Sequence, residues 1–341
     1  MYVNRRLNRG TVLLFGLRLF ALSAVWATIV YVLFARFDLQ FLRVPFLPIA
    51  TIGTAVAFYV GFKNNSAYDR FWEGRKIWGA IVNASRTWGT DVMSYVAPGD
   101  DSPEAYALRR DLIYRHMAWM NALRLQLRKK SRFFDKPAWS TKRRLERHAD
   151  AMRNDWDKEL APFLDAEELG AVSQMSNPAT QLLTTQGKRL AALHASGQVD
   201  LFRQIAMMEV VEELYTHQGK CERIKNTPFP RFYAEYSRLF TRVFVFLVPF
   251  GMLDVFADYI KASAELHPWL PIVPMLLASG LVSWVFMTME SVGDATEDPF
   301  ERSLNDVPMN ALCRTIEIDL RQMLDETDLP PKEPSHDGIL Y

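Results

Sequence analysis

The sequence predicts an all-α membrane protein with four transmembrane helices and a large helical cytosolic region. Three observations carry this. The stretches 11–35, 44–62, 239–257 and 268–289 are apolar, and each has about the length that crosses a bilayer. Between the second and third, residues 64–231 hold no further stretch of that kind and are rich in charge and helix formers. Basic residues crowd one side of the spans. Arg5, Arg6 and Arg9 precede the first, Lys63, Arg70, Arg75, Lys76 and Arg86 follow the second, and Arg223, Lys225 and Arg231 precede the third. The other flanks hold only Arg36, Arg43 and Lys261. The positive-inside rule then places both termini and residues 64–231 in the cytoplasm.

The first span, 11–35, follows a basic start and lacks a small-residue cleavage site after a short apolar core, so a retained helix is expected rather than a signal peptide. Arg18 lies about two turns inside its basic end. There it either snorkels to the interface or faces a neighbouring helix. Pro45 and Pro48 open the second span, where proline is tolerated best. No charge stands between Arg43 and Lys63. At Lys63-Asn64-Asn65-Ser66 the chain turns polar, yet nothing from Gly61 to Gly74 stops a helix. Tyr68, Phe71, Trp72, Trp78 and Val82 then recur at helical spacing. One membrane helix is therefore expected to run on into a wet domain.

Residues 107–130 mix apolar and basic residues at helical spacing, and Arg128, Lys129, Lys130 and Arg132 read as a solvated helix end. From Lys142 to Glu168 the mixed charges suggest an exposed helix with surface pairing. Asn177-Pro178 and Gly187 suggest a break. Residues 198–219 form an amphipathic helix that Gly219 would end. Thr227-Pro228-Phe229-Pro230 prevents regular helix before the third span, which carries Arg242 near its start, Pro249 in the middle and Asp254 towards the far end. After Glu290 the chain is expected to return to water. Residues 310–324 read as a helix, and the tail from Pro330 lacks apolar periodicity and reads as loose.

Composition excludes several classes. Lys+Arg 40 against Asp+Glu 39 leaves a formal charge of +1, so there is no bulk attraction to nucleic acid. The two cysteines, Cys221 and Cys313, do not make a disulfide framework. His217 stands one turn before Cys221 with no further ligand close by, so no zinc site is expected. No phosphate loop, nucleophile elbow or His pair at metal-ligand spacing occurs, and no enzyme, cofactor or metal is expected.

Within the second span, Thr54, Phe58 and Phe62 recur every four residues and share a helix face. Ala50, Gly53, Ala55, Ala57 and Gly61 around them are small, as in closely packed membrane helices. Such a stripe could line a hole if several copies surround an axis; spacing alone favours ordinary core or lipid-facing aromatics. Asp69, Arg70, Glu73, Arg75 and Lys76 form a charged cluster in which Glu73 is three residues from both Arg70 and Lys76.

Three stretches together carry a resemblance. They are FKNNSAYDRFWEGRKIWGAIVNASR at 62–86, CERIKNTPFP at 221–230, and EDPFE at 297–301 followed by NDVPM at 305–309. They resemble the signature of the bestrophins in the form that bacterial members carry, and they span most of the chain. The resemblance implies a homopentameric, ring-forming ion channel of the bacterial inner membrane. Its segments would be 1–63 with two spans, the second lining the pore; 64–231, cytosolic and helical; 232–292 with spans three and four; and 293–341, cytosolic. It assigns Thr54, Phe58 and Phe62 to a hydrophobic neck, with Thr54 a departure that wets the outer end. It assigns Ile205, about four turns before Cys221, to a second constriction at the cytosolic exit. Animal members clasp calcium with an acidic run after the Pro-Phe pair. Here Arg302, Ser303 and Leu304 replace most of that run and leave Asp306, so no calcium clasp is expected. The partners implied are lipid, further copies of the chain and small inorganic ions. Anions such as chloride and monovalent cations both remain open. The alternative is a membrane-anchored scaffold or sensor whose cytosolic helices bind a partner.

Overall fold

The computed structural model describes residues 1–3, 9–129, 146–263, 270–301 and 305–341. Among them the protein is almost wholly helical, apart from isolated bridges that join Tyr2 and His336 to Ile339. The helices are α1 (Arg9–Phe37), α2 (Phe46–Tyr95), α3 (Pro103–Arg128), α4 (Trp156–Leu160), α5 (Ala166–Ser173), α6 (Pro178–Ala195), α7 (Leu201–Asn226), α8 (Arg231–Ser263), α9 (Val273–Thr296) and α10 (Met309–Met323). They fall into two compact units. One holds Asn4–Asp69 and Phe229–Glu297, and the other holds Met1–Val3, Arg70–Pro228 and Asp298–Tyr341. Helix α2 contributes to both, and its 50 residues run without a break.

The first unit carries the stretches long and apolar enough to cross a membrane, Gly16–Phe37, Gln40–Tyr95, Arg231–Ala262 and Leu270–Thr296, the second extending past this unit. Helix α1 packs on α9 and α8, and α8 packs on α9. Val30, Phe34, Ile49, Val56, Val60, Phe244, Val248 and Met275 form their core. Close approach is bought with glycine: a Cβ at Gly16 would stand 2.5 Å from Trp284 Nε1, and one at Gly280 2.6 Å from Phe20 Cε2. Arg18 is exposed. Arg43 bonds Asp254 at 2.9 Å and Asp258 at 3.2 Å, tying the start of α2 to α8. Helix α9 continues past Glu290 to Thr296, and Glu290 is buried.

The second unit is built around α3. Ser102 accepts from Ala105 N, Pro103 occupies the first turn, and Glu104 complements the helix start. Leu112, Trp119 and Leu123 sit in a core with Trp78, Trp88, Leu214 and Ile316. Most basic residues of α3 are buried too, Arg110 being exposed. Arg109 donates to the carbonyls of Val96, Ala97 and Asp100. Arg115 pairs with Asp111 at 2.7 Å and Glu168 at 2.8 Å, and Arg124 pairs with Glu159 at 2.6 Å. Arg128 is 2% exposed, which overturns the solvated helix end; Lys130, Arg132 and 142–144 lie outside the described residues.

Other expectations change for local reasons. Residues 156–173 form two short helices, not one exposed helix, because Glu159 and Glu168 turn in to the α3 arginines. Asn177-Pro178 starts α6: the Asn177 side chain accepts from Thr180 N. Gly187 lies inside that helix, where a Cβ would meet Met208 Cε of α7 at 3.5 Å. Helix α7 passes Gly219 and ends at Asn226, before the prolines. The tail is not loose. Val3 N donates to Gly338 O at 2.9 Å and Leu340 N to Met1 O at 2.8 Å, while Tyr341 is 3% exposed with its hydroxyl 2.6 Å from His148 Nδ1.

Candidate pore-lining face

On α2 the buried and exposed faces are opposite. Ile49, Val56, Val60, Lys63 and Ala67 are buried, and their spacing puts them on one side of the helix. Thr54 is exposed, and Phe58 and Phe62 remain 66% and 63% exposed. All three line one open groove of about 780 Å³ with Ala50, Gly53, Ala57, Gly61, Asn65, Phe244 and Phe286. Gly53 makes room for Phe244, since a Cβ there would lie 2.5 Å from its Cε2. Thr54 Oγ1 donates to Ala50 O at 3.0 Å, so its hydroxyl is satisfied within the helix. The residues that recur at helical spacing from 68 to 82 do not share one environment: Trp78 and Val82 are buried, whereas Tyr68 and Trp72 are exposed.

Directly after Phe62 comes a group that sequence reasoning misread. Lys63, counted as a wet basic flank, is fully buried. Its ammonium bonds Glu290 Oε1 at 2.6 Å and also Asp294. Ser237 Oγ donates to Glu290 Oε2 at 2.6 Å, and Arg238 Nε donates to Asp294 Oδ2 at 3.1 Å. The signal available in sequence was the pair Glu290 and Asp294, four residues apart on an apolar helix, which needs a cation when buried.

Ile205 belongs to the other unit. It is 50% exposed on α7, beside Leu201 at 52% and Phe202 at 83%. It lines an open concavity of about 520 Å³ with Gln204, Met208, Glu209, Glu212 and Tyr215. Asp200 caps this helix, accepting from Phe202 N and Arg203 N.

The Glu297–Glu301 turn is held by cations. Asp298 faces Arg70 at 3.4 Å, and Glu301 pairs with Lys225. Phe300 is 1% exposed, and a Cβ at Gly74 would stand 3.2 Å from its Cζ. Glu73 pairs across to Arg223 at 2.8 Å, not with Arg70 or Lys76 along its own helix. Among the described residues no three His, Cys, Asp or Glu side chains are grouped to hold a metal. Asp298 and Glu301 each place one oxygen against a cation, Arg70 and Lys225; Arg302, Ser303 and Leu304 lie outside the described residues.

The family model described as Bacterial/Fungal Bestrophin protein matches residues 6–322. The chain is a member of the bestrophin family. This bestrophin is 28% identical over 285 residues to the voltage-dependent anion channel-forming protein YneE of Escherichia coli K12, covering 84% of the chain and 79% of the relative. A similarly named protein of Mesorhizobium japonicum, mll4386, is 27% identical over 309 residues, covering 91% and 84%. Among solved structures, a bacterial bestrophin homologue from Klebsiella pneumoniae superposes with a TM-score of 0.70 at 25% identity, over 92% of this bestrophin and 99% of that chain.

Proposed function

We propose that this bestrophin is the subunit of an ion channel, in which several copies surround an axis lined by the Thr54, Phe58 and Phe62 face of α2. The observation that carries the reading is the pair of Phe side chains left 66% and 63% exposed on a helix apolar enough to cross a membrane, opposite a fully packed face. A face of that kind needs a partner, and the small residues beside it suit neighbouring helices. The family resemblance supports five copies. Hydrophobic rings at Phe58 and Phe62 would form the neck and gate by dewetting, while weak contacts let ions leave quickly. Ile205 would narrow the cytosolic exit.

Relatives named as anion channel-forming proteins favour chloride and other small anions over monovalent cations. The exposed apolar residues of the spans, such as Leu22, Val25, Leu277 and Leu281, would meet lipid of the bacterial inner membrane. Residues 1–63 and 232–292 would carry the spans, with 64–231, 293–341 and both termini cytoplasmic.

Purified protein in a planar bilayer under asymmetric salt tests the reading. Single-channel steps with a reversal potential near that of chloride are expected. A reversal potential near that of the cation would keep the channel and change its ion. Silence across salts and voltages would favour the membrane-anchored scaffold or sensor.

A further inference from the structure

We propose that Lys63 is the positioning residue for the aromatic face of α2: its ion pairs with Glu290 and Asp294 fix the rotation of α2 about its own axis and hold Phe58 and Phe62 in the groove. The proposal rests on the pore-lining reading of that face.

Lys63 has no water contact, and an ammonium stripped of water is stable only with close, well-directed partners. Glu290 and Asp294 supply them, one turn apart on α9. Their outer oxygens are held in turn by Ser237 and Arg238 of α8, so the carboxylates cannot follow the ammonium if α2 turns. Arg238 also pairs with Glu235 at 2.8 Å, so two cations and three carboxylates are linked in one network. Its rigidity follows from the satisfaction of its members.

The aliphatic residues of the buried face add little directional specificity. Ile49, Val56, Val60 and Ala67 are aliphatic, and apolar burial is non-directional. A turn of the helix can exchange one aliphatic contact for another, although the close fit of Phe244 at Gly53 resists it. Such a turn would pull the ammonium off its carboxylates. Phe62 is adjacent to Lys63, and helical geometry sets Phe62 about 100° and Phe58 roughly 140° around the axis from it. Any rotation that breaks the pairs therefore carries both rings out of the groove. Asn64 marks the same close approach: its Nδ2 donates to Met289 O at 3.0 Å, and a Cβ at Gly293 would collide with its Oδ1.

The test uses full-length protein in liposomes and a charged, water-soluble methanethiosulfonate. The native thiols of Cys221 and Cys313 are buried, and burial pushes the latter up to about 12, so the background is quiet. Phe58→Cys reports the groove face and Val60→Cys the packed face. With Lys63 present, the thiol at 58 should react and that at 60 should not. Adding Lys63→Met should slow reaction at 58 by about tenfold or more, as expected when one of two states loses its buried ion pair, and should expose 60. Lys63→Glu combined with Glu290→Lys restores an ion pair and should restore both rates. If Lys63→Met fails to assemble, Asp294→Asn removes one partner and should give the same pattern more weakly. Unchanged rates at both positions, in protein of unchanged oligomer size, would overturn the positioning role. A thiol at 58 that is inert even with Lys63 intact would instead overturn the pore-lining reading, and the proposal with it.

Discussion

Phe58 and Phe62 show how exposure narrows what spacing leaves open: neither ring is packed in the subunit's own core. A Phe packed in a core costs about 3–5 kcal/mol when cut to Ala, because a cavity remains. Here both rings are more than half exposed in the subunit, so truncation leaves no such cavity in the protomer. Phe58→Ala with Phe62→Ala is expected to keep the oligomer and to raise conductance or open probability, since the constriction widens and wets. Current and oligomer size are measured on the same preparation. An intact oligomer with unaltered conductance and gating would remove these residues from the controlling constriction. The residue scale also holds the misreadings. Lys63 and Arg128 are cations read as solvated that the fold buries, as it buries Arg124. Their partners come from distant segments, such as Glu290 for Lys63 and Glu159 for Arg124, and helical periodicity carries no information about such pairs.

At the scale of elements, α2 and α3 teach different lessons. Helix α2 was legible as one continuous helix because nothing between Gly61 and Gly74 breaks it, and it runs from Phe46 to Tyr95. Helix α3 was legible as a helix and illegible as a buried one, because its basic residues mimic a solvated face. His116 of α3 shows what that burial does. It lies between Trp88 and Trp119 with Nε2 2.9 Å from Ser85 Oγ, and burial lowers its pKa from 6.5 to about 3. The unfolded chain therefore takes up a proton near pH 6.5 that the folded chain refuses until about pH 3. The stability from the neutral ring is full above pH 6.5 and is lost as pH falls towards 3, by about 1.4 kcal/mol per unit. Thermal unfolding from pH 7 to 5 should show a smaller loss of stability in His116→Gln than in the native protein. Equal slopes would mean that His116 is protonated in the fold. The chain ends belong to this scale as well. Residues 330–341 have no apolar period, yet Met1–Val3 pair with 338–340, and Tyr341 fills a pocket with Met152 and Ile339. A few backbone bonds and one buried ring order a segment that composition marks as free.

At the scale of the whole molecule, the proposed topology makes a direct prediction. With both termini cytoplasmic, a reporter active only in the cytoplasm and fused after Tyr341 should work. Activity only from a periplasm-specific reporter at that site would invalidate the proposed orientation. What the sequence determined by itself is the helical membrane class, the helices able to cross, the long run of α2, the break at Thr227 and the bestrophin family. Those properties are written locally, in apolar length, in the 3.6-residue period and in contiguous motifs, and they need no knowledge of distant neighbours. What only the tertiary structure decided is which charges are buried and which aromatics are left open. Lys63 is hidden by α9, Arg128 sits in the second unit's interior, and Phe58 and Phe62 stay exposed because α2 turns its Val56, Val60 and Lys63 face inward. Helical period sets which residues share a face, but the direction that face points is chosen by packing and by ion pairs between segments more than two hundred residues apart, such as Lys63 and Glu290.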